Sequence, residues 1–119
     1  MIQGGAKLSR EDIDRGIRYY KDTRFWECCL ADGKPYLLEP YCILRTVKNA
    51  YEEDWKTAVA NSIPSIPAGT EVEFLEILQN FYGSFLQVEY LGRTYSIKFD
   101  TVEYVRRNPE KLEHKEQLW

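Results

Sequence analysis

Cys28, Cys29, Cys42 and His114 are the residues best suited to nucleophilic or soft-metal chemistry, and their spacing argues against both. A cysteine nucleophile needs a base within ~3 Å. The single histidine lies between Glu113 and Lys115 in a predicted C-terminal helix, where a lone histidine is ordinarily a solvated side chain. Cys28 and Cys29 are adjacent in a predicted strand, so they point to opposite faces and do not converge on one ion. Tetrahedral zinc requires four ligands, with one histidine as the sole candidate for the fourth. The expectation is buried structural thiols, with Cys42 facing one of the pair across a hairpin, and neither metal nor cofactor. Three cysteines are an odd number, and no apolar leader follows Met1. Both features predict reduced thiols and a cytoplasmic protein.

Carboxylates are plentiful. Glycoside chemistry sets two of them about 5–9 Å apart in a cleft, one in an apolar pocket. Glu71 and Glu73 alternate outward along a predicted strand, which reads as a solvated sheet face. No phosphate loop, Gly-x-Gly-x-x-Gly or Gly-x-Ser-x-Gly pattern occurs, and the sequence predicts a protein that is not an enzyme. Between residues 49 and 81, Glu52, Glu53, Asp54, Glu71, Glu73 and Glu76 stand against Lys56 alone, a local charge of −5 in a chain of −3. Such a segment suits a basic partner and also suits ordinary solvated faces. Nothing global draws the chain to nucleic acid, and no window approaches the ~20 apolar residues of a membrane span.

With 119 residues, 44% hydrophobic and 29% charged, the composition is that of one globular domain over 1–119. Nine Tyr, five Phe and three Trp are the one excess, fitting strands and binding surfaces alike. Ser9 as N-cap, with Ile13, Ile17 and Tyr20 on one stripe, predicts an N-terminal helix over 8–22. Asp32-Gly33 predicts a hairpin over 25–47, with a kink or bulge at Pro40. Tyr51, Trp55 and Val59 recur at helical spacing behind an acidic first turn, predicting a helix over 51–61 that SIPSIP ends. Residues 70–106 read as alternating strands, with a bulge near Leu75, turns at Phe81-Tyr82 and Leu91-Gly92, and one 3₁₀ turn before a last short strand. Asn108-Pro109-Glu110 opens a C-terminal helix over 108–119.

The run from Ile66 to Val105 resembles the core of SH3-like barrels, particularly bacterial SH3-type domains. The resemblance rests on Pro67, Gly69, Thr70 and Val72 at the start of one strand, and on Gly92, Tyr95 and Ile97 in another that leads into a 3₁₀ turn. It covers about forty residues and implies a mainly β (α+β) fold: an SH3-like antiparallel barrel carrying an N-terminal helix, an inserted helix and a short C-terminal helix. Its first barrel strand would be 41–47. The helix over 51–61 would be an insertion, and the N-terminal helix-plus-strand segment an addition to the usual pattern.

Fold of this kind serves many functions. Such barrels bind peptides, cell-wall glycans, nucleic acids or proteins, and small cytoplasmic examples resemble accessory proteins of phages and conjugative elements. In SH3-like barrels the grip lies between two loops near the 3₁₀ turn. The resemblance puts Tyr51, Glu53 and Trp55, then Phe81 and Tyr82, then Tyr104 there. Those residues would form an aromatic–acidic slot for a partner protein or an extended, basic or proline-containing segment. Tyr51 and Trp55 also suit a role as anchors of the inserted helix, which is the preferred reading for Trp55, whereas Phe81 and Tyr82 at a turn tip have little core to reach. The alternative reading is a nucleic-acid-binding barrel, in which Tyr82, Tyr90, Tyr95 and Tyr104 stack bases while Arg93, Lys98, Arg106 and Arg107 meet phosphates.

Overall fold

Alternating apolar residues in 70–106 require a sheet with one face inward, and the computed structural model, which describes residues 16–54, 63–81 and 83–117, shows it. Strands β1 (Arg18–Tyr20), β2 (Phe25–Cys29) and β3 (Pro35–Leu38) form a three-stranded antiparallel sheet in that order. Strands β4 (Ile43–Thr46), β5 (Glu71–Asn80), β6 (Gly83–Tyr90), β7 (Arg93–Ile97) and β8 (Val102–Arg106) form a second sheet, ordered β7-β6-β5-β4-β8. A 3₁₀ turn, Phe99–Thr101, joins β7 to β8, and helix α1 spans Pro109–Gln117. The chain is mainly β.

Both sheets feed one core. Trp26, Cys28 and Leu38 come from the small sheet; Leu44, Val72, Phe74, Leu86, Val88 and Ile97 come from the large one. Along β5, Val72, Phe74 and Ile77 are buried, a spacing that strict alternation does not allow. The register slips between Phe74 and Glu76, so the predicted bulge at Leu75 is present and restores the inward phase. At the β6–β7 connection both central residues are left-handed, Leu91 at φ +50° and Gly92 at +76°.

The expected helix over 8–22 is corrected where it is described. Gly16 has φ +70°, which no α-helical residue adopts, and Arg18–Tyr20 is a strand. Ile17 and Tyr20 fit a helical stripe and a strand equally over so short a window. The deciding term is tertiary: Tyr19 pairs with Trp26 and Tyr20 with Phe25 across the ladder, and aromatic cross-strand pairs favour the strand. Residues 8–15 lie outside the described residues.

A second correction concerns the hairpin over 25–47. Its Asp-Gly turn forms, with the Lys34 amide donating to Asp32 Oδ1 at 2.9 Å and Gly33 at φ +76°. The second strand does not run through to residue 47, however. Pro40 and a left-handed Tyr41, φ +71°, break it into β3 and β4, one in each sheet. Residues 51–54 are likewise non-helical, being held instead by hydrogen bonds to β7, while 55–62 lie outside the described residues.

The excursion between β4 and β5 is fastened at its base by Thr46, 1% exposed. Its hydroxyl donates to the Pro67 carbonyl at 2.7 Å and accepts from the Thr70 amide at 2.9 Å. An antiparallel bridge between Ala50 and Ile66 closes it further along. Among the described residues no helix is long and apolar enough to cross a membrane.

Phe74 has no exposed surface and touches the centre of this core. Phe74→Ala should cost about 3–5 kcal/mol, read as a lowered urea midpoint, whereas exposed Phe81→Ala should stay within about 0.5 kcal/mol of the parent.

Candidate partner-binding surface

Phe81 sits at the tip of the β5–β6 hairpin, just beyond the Asn80–Gly83 pair, and is 96% exposed. The strands on either side put their apolar residues inward, so a tip residue has no core within reach. Its neighbour Tyr82 lies outside the described residues.

Residues 51–54 lie along the outer edge of β7. The Glu53 amide donates to the Ser96 carbonyl at 2.7 Å. Glu52 Oε2 accepts from the Ser96 amide and from the Asp54 amide, both at 3.0 Å. A carboxylate receiving two backbone donors is a charge-assisted clasp, and it uses the open edge of a terminal strand. Tyr51 is 58% exposed and Glu53 half-buried; Trp55 lies outside the described residues. Ser96 pairs with Gln87, four residues along β6 from Gly83 and so about 13 Å from the hairpin end at ~3.3 Å per residue. The strap at Glu53 therefore meets the middle of the β7 edge, about 13 Å of strand from the Phe81 hairpin and about 10 Å from the β6–β7 turn.

Tyr104 belongs elsewhere. It stacks on Tyr36 with ring centroids 5.5 Å apart and planes at 17°, tying β8 to the small sheet. Leu44 pairs with both Tyr104 and Val72. Phe81 then lies nine residue steps beyond Val72 along β5, about 30 Å of extended chain. Burial raises the Tyr104 phenol pKa, with Cys42 and Glu39 adding to it; the Tyr36 phenol is raised chiefly by its hydrogen bond to Asp32.

Several residues proposed for phosphate contact or base stacking are already engaged. Arg106 and Arg45 reach Glu71 at 3.3 and 3.5 Å, and the Arg106 bond holds the Glu71 carboxyl below its usual range. Arg107 grips buried Glu39 through Nε and Nη2, a charge pair at the β3–β4 corner that sequence reading missed. Glu39 before Pro40 gave no local sign of burial. Lys111 holds Glu73 at 2.6 Å and lies 5.3 Å from the Tyr41 ring centroid. Tyr95 is buried, its hydroxyl donating to the Pro64 carbonyl at 3.0 Å, and its ring packs near Tyr90.

Cys28 and Cys42 have no exposed surface, and Cys29 is half-buried. Burial pushes the Cys28 thiol far up and the Cys42 thiol up to about 12, so both are neutral and poor nucleophiles. Among the described residues no three His, Cys, Asp or Glu side chains gather as a metal set. Comparison with protein-family models, curated proteins and solved structures finds no match to this chain.

Two outcomes follow from this geometry. Glu52→Ala should free the clasp and speed hydrogen exchange at the Ser96 amide, measured by NMR, with β4 amides unaffected; unchanged Ser96 protection would remove the clasp. The thiols give a pH signature. Their folded pKa values are raised, so their stabilisation is complete below the unfolded value of ~8.5 and is lost as pH rises above it, by up to about 1.4 kcal/mol per pH unit for each thiol. Urea unfolding between about pH 8.5 and 10 should show this slope, flattened in a Cys28→Ala, Cys42→Ala variant.

Proposed function

We propose that this chain is a non-enzymatic protein-interaction module on an SH3-like barrel, binding a partner protein or extended peptide through Phe81, Tyr82 and the acidic strap that carries Tyr51 and Glu53. The observation that carries the reading is Phe81, a large aromatic side chain 96% exposed at a hairpin tip. Aromatic residues, Phe among them, are enriched at interfaces relative to the rest of a protein surface. Glu53, on the strap about 13 Å of strand from the hairpin, suits a basic residue of an extended segment that spans both. Trp55, outside the described residues, is kept in the proposed surface on the strength of the sequence alone. Tyr104 is left out of it, because its ring is committed to Tyr36.

The SH3-like reading is supported by the order β7-β6-β5-β4-β8 with a 3₁₀ turn before β8, a meander closed by its last strand returning beside its first. The nucleic-acid alternative is disfavoured by the carboxylates on Arg106 and Arg107. A role as an accessory protein of a phage or conjugative element is the setting this reading implies, and neighbouring genes bear on it.

Affinity capture from the source cells, comparing the parent with a Phe81→Ala, Tyr82→Ala variant of unchanged thermal stability, tests the proposal. Loss of two anchors should weaken a partner's retention by about thirtyfold or more. Identical partners at identical yield would sink the idea, and steeply salt-dependent retention on immobilised nucleic acid would replace it with the alternative.

A further inference from the structure

Leu91 is a poor residue for the place it occupies. It takes the first central position of the β6–β7 turn at φ +50°, ahead of Gly92 at +76°. A two-residue turn with both central φ values positive favours Asn, Asp or Gly there, because the Cβ of other residues crowds the following carbonyl. The side chain is 85% exposed, so burial does not offset the strain. Neither the backbone nor the core asks for leucine, and residues that break a local rule without internal compensation are candidates for an external role.

The surroundings say what that role would recognise. A shallow groove of about 280 Å³ adjoins Leu91, with half-buried Tyr90 and the edges of buried Ile43 and Val72 beside Glu71, Glu73 and Glu89; Arg45 and Arg106 already hold Glu71. Glu73 and Glu89 are directly opposed across β5 and β6, a like-charge pair that the sheet alone disfavours. Lys111 answers Glu73. Glu89 is exposed and has no ion-pair partner among the described residues. An exposed apolar knob, an apolar lining and an unanswered carboxylate are complementary to an apolar side chain next to a lysine or arginine.

We propose that the β6–β7 turn is a docking site of its own, centred on Leu91 and Glu89, for a partner-protein segment carrying a basic residue next to an apolar one. It is separate from the Phe81 surface: β6 runs from Gly83 to Tyr90, about 26 Å, with one turn at each end. The chain thereby has two ends on which to bind.

Amide shifts of the isotope-labelled full chain, titrated with a short peptide alternating lysine and leucine, provide the test. Shifts should centre on residues 89–92 and on Val72, disappear when glutamate replaces lysine in the peptide, and fade with added salt. Leu91→Asn should weaken binding by about tenfold while raising Tm by roughly 2–5 °C, because Asn accepts the left-handed turn. Leu37→Ser, which alters another exposed leucine, should bind as the parent does. The proposal is overturned if Leu91→Asn binds like the parent, if it lowers Tm, or if the shifts centre on Phe81. It is also overturned if the same shifts arise from raising protein concentration alone, which would make this face a contact between two copies.

Discussion

Two backbone hydrogen bonds at Phe74 hold the architecture together. The Tyr41 amide donates to the Phe74 carbonyl at 2.7 Å, and the Phe74 amide donates to the Cys42 carbonyl at 2.9 Å. At this one residue the chain leaving the small sheet is fastened to the long strand of the large sheet. The left-handed Tyr41 makes the turn that allows it, and the bulge at Leu75 begins one residue later. The bulge in turn lets β5 keep Val72, Phe74 and Ile77 on one core. Glu39 and Arg107 brace the same corner from the other side, where a buried carboxylate without its guanidinium would be strongly unfavourable. Every surface feature discussed above is carried by strands whose direction this junction sets.

The sequence made the large sheet legible because its signals were local and redundant. Alternation placed Leu86, Val88, Tyr95 and Ile97 inward, the bulge near Leu75 followed from a break in phase, and Pro109 after Asn108 marked α1. What escaped was set by contacts distant in sequence. Ile17 and Tyr20 carried a helical spacing, but Trp26 and Phe25 across the ladder decided for a strand. Pro40 announced a kink; only the pairing of Tyr41 with Phe74 turns that kink into a change of sheet. The exposure of the proposed binding set was legible in part. Phe81 is as exposed as a turn-tip residue should be, and Tyr51 is exposed on a strap. Tyr104 looked the same in the sequence, yet its ring is spent on Tyr36, a contact between residues far apart in the chain. Leu91 was visible only as one residue of a turn, because its left-handed backbone is what makes it unusual.

The aromatic excess now divides by role. Tyr19 and Trp26 pack with centroids 4.5 Å apart, Tyr36 joins Tyr104, and Tyr90 and Tyr95 pack together, so these pairs join strands and sheets. Edge-to-face and offset contacts of this kind add about 0.5–1.5 kcal/mol beyond the area they bury. They are sufficient reason for most of the tyrosines. The remainder that burial does not explain, among the described residues, is concentrated in Phe81 and Tyr51.

Why recognition should fall to turns follows from how the strand edges are used. A peptide that adds to a sheet needs a free row of backbone donors and acceptors. On β7, the amide and carbonyl of Ser96 are already taken by Glu52 and the Glu53 backbone. On β8, the Val102 carbonyl accepts from the Ala31 amide at 3.1 Å. On β3, Pro35 removes a donor at the first position. These contacts protect the edges against unwanted pairing, and they also close those stretches to main-chain recognition. Along those stretches, side chains projecting beyond the hairpins are what the proposed recognition has left to use. The two ends of β6 carry large exposed apolar ones, Phe81 and Leu91, and the left-handed backbone at Leu91 does not call for leucine.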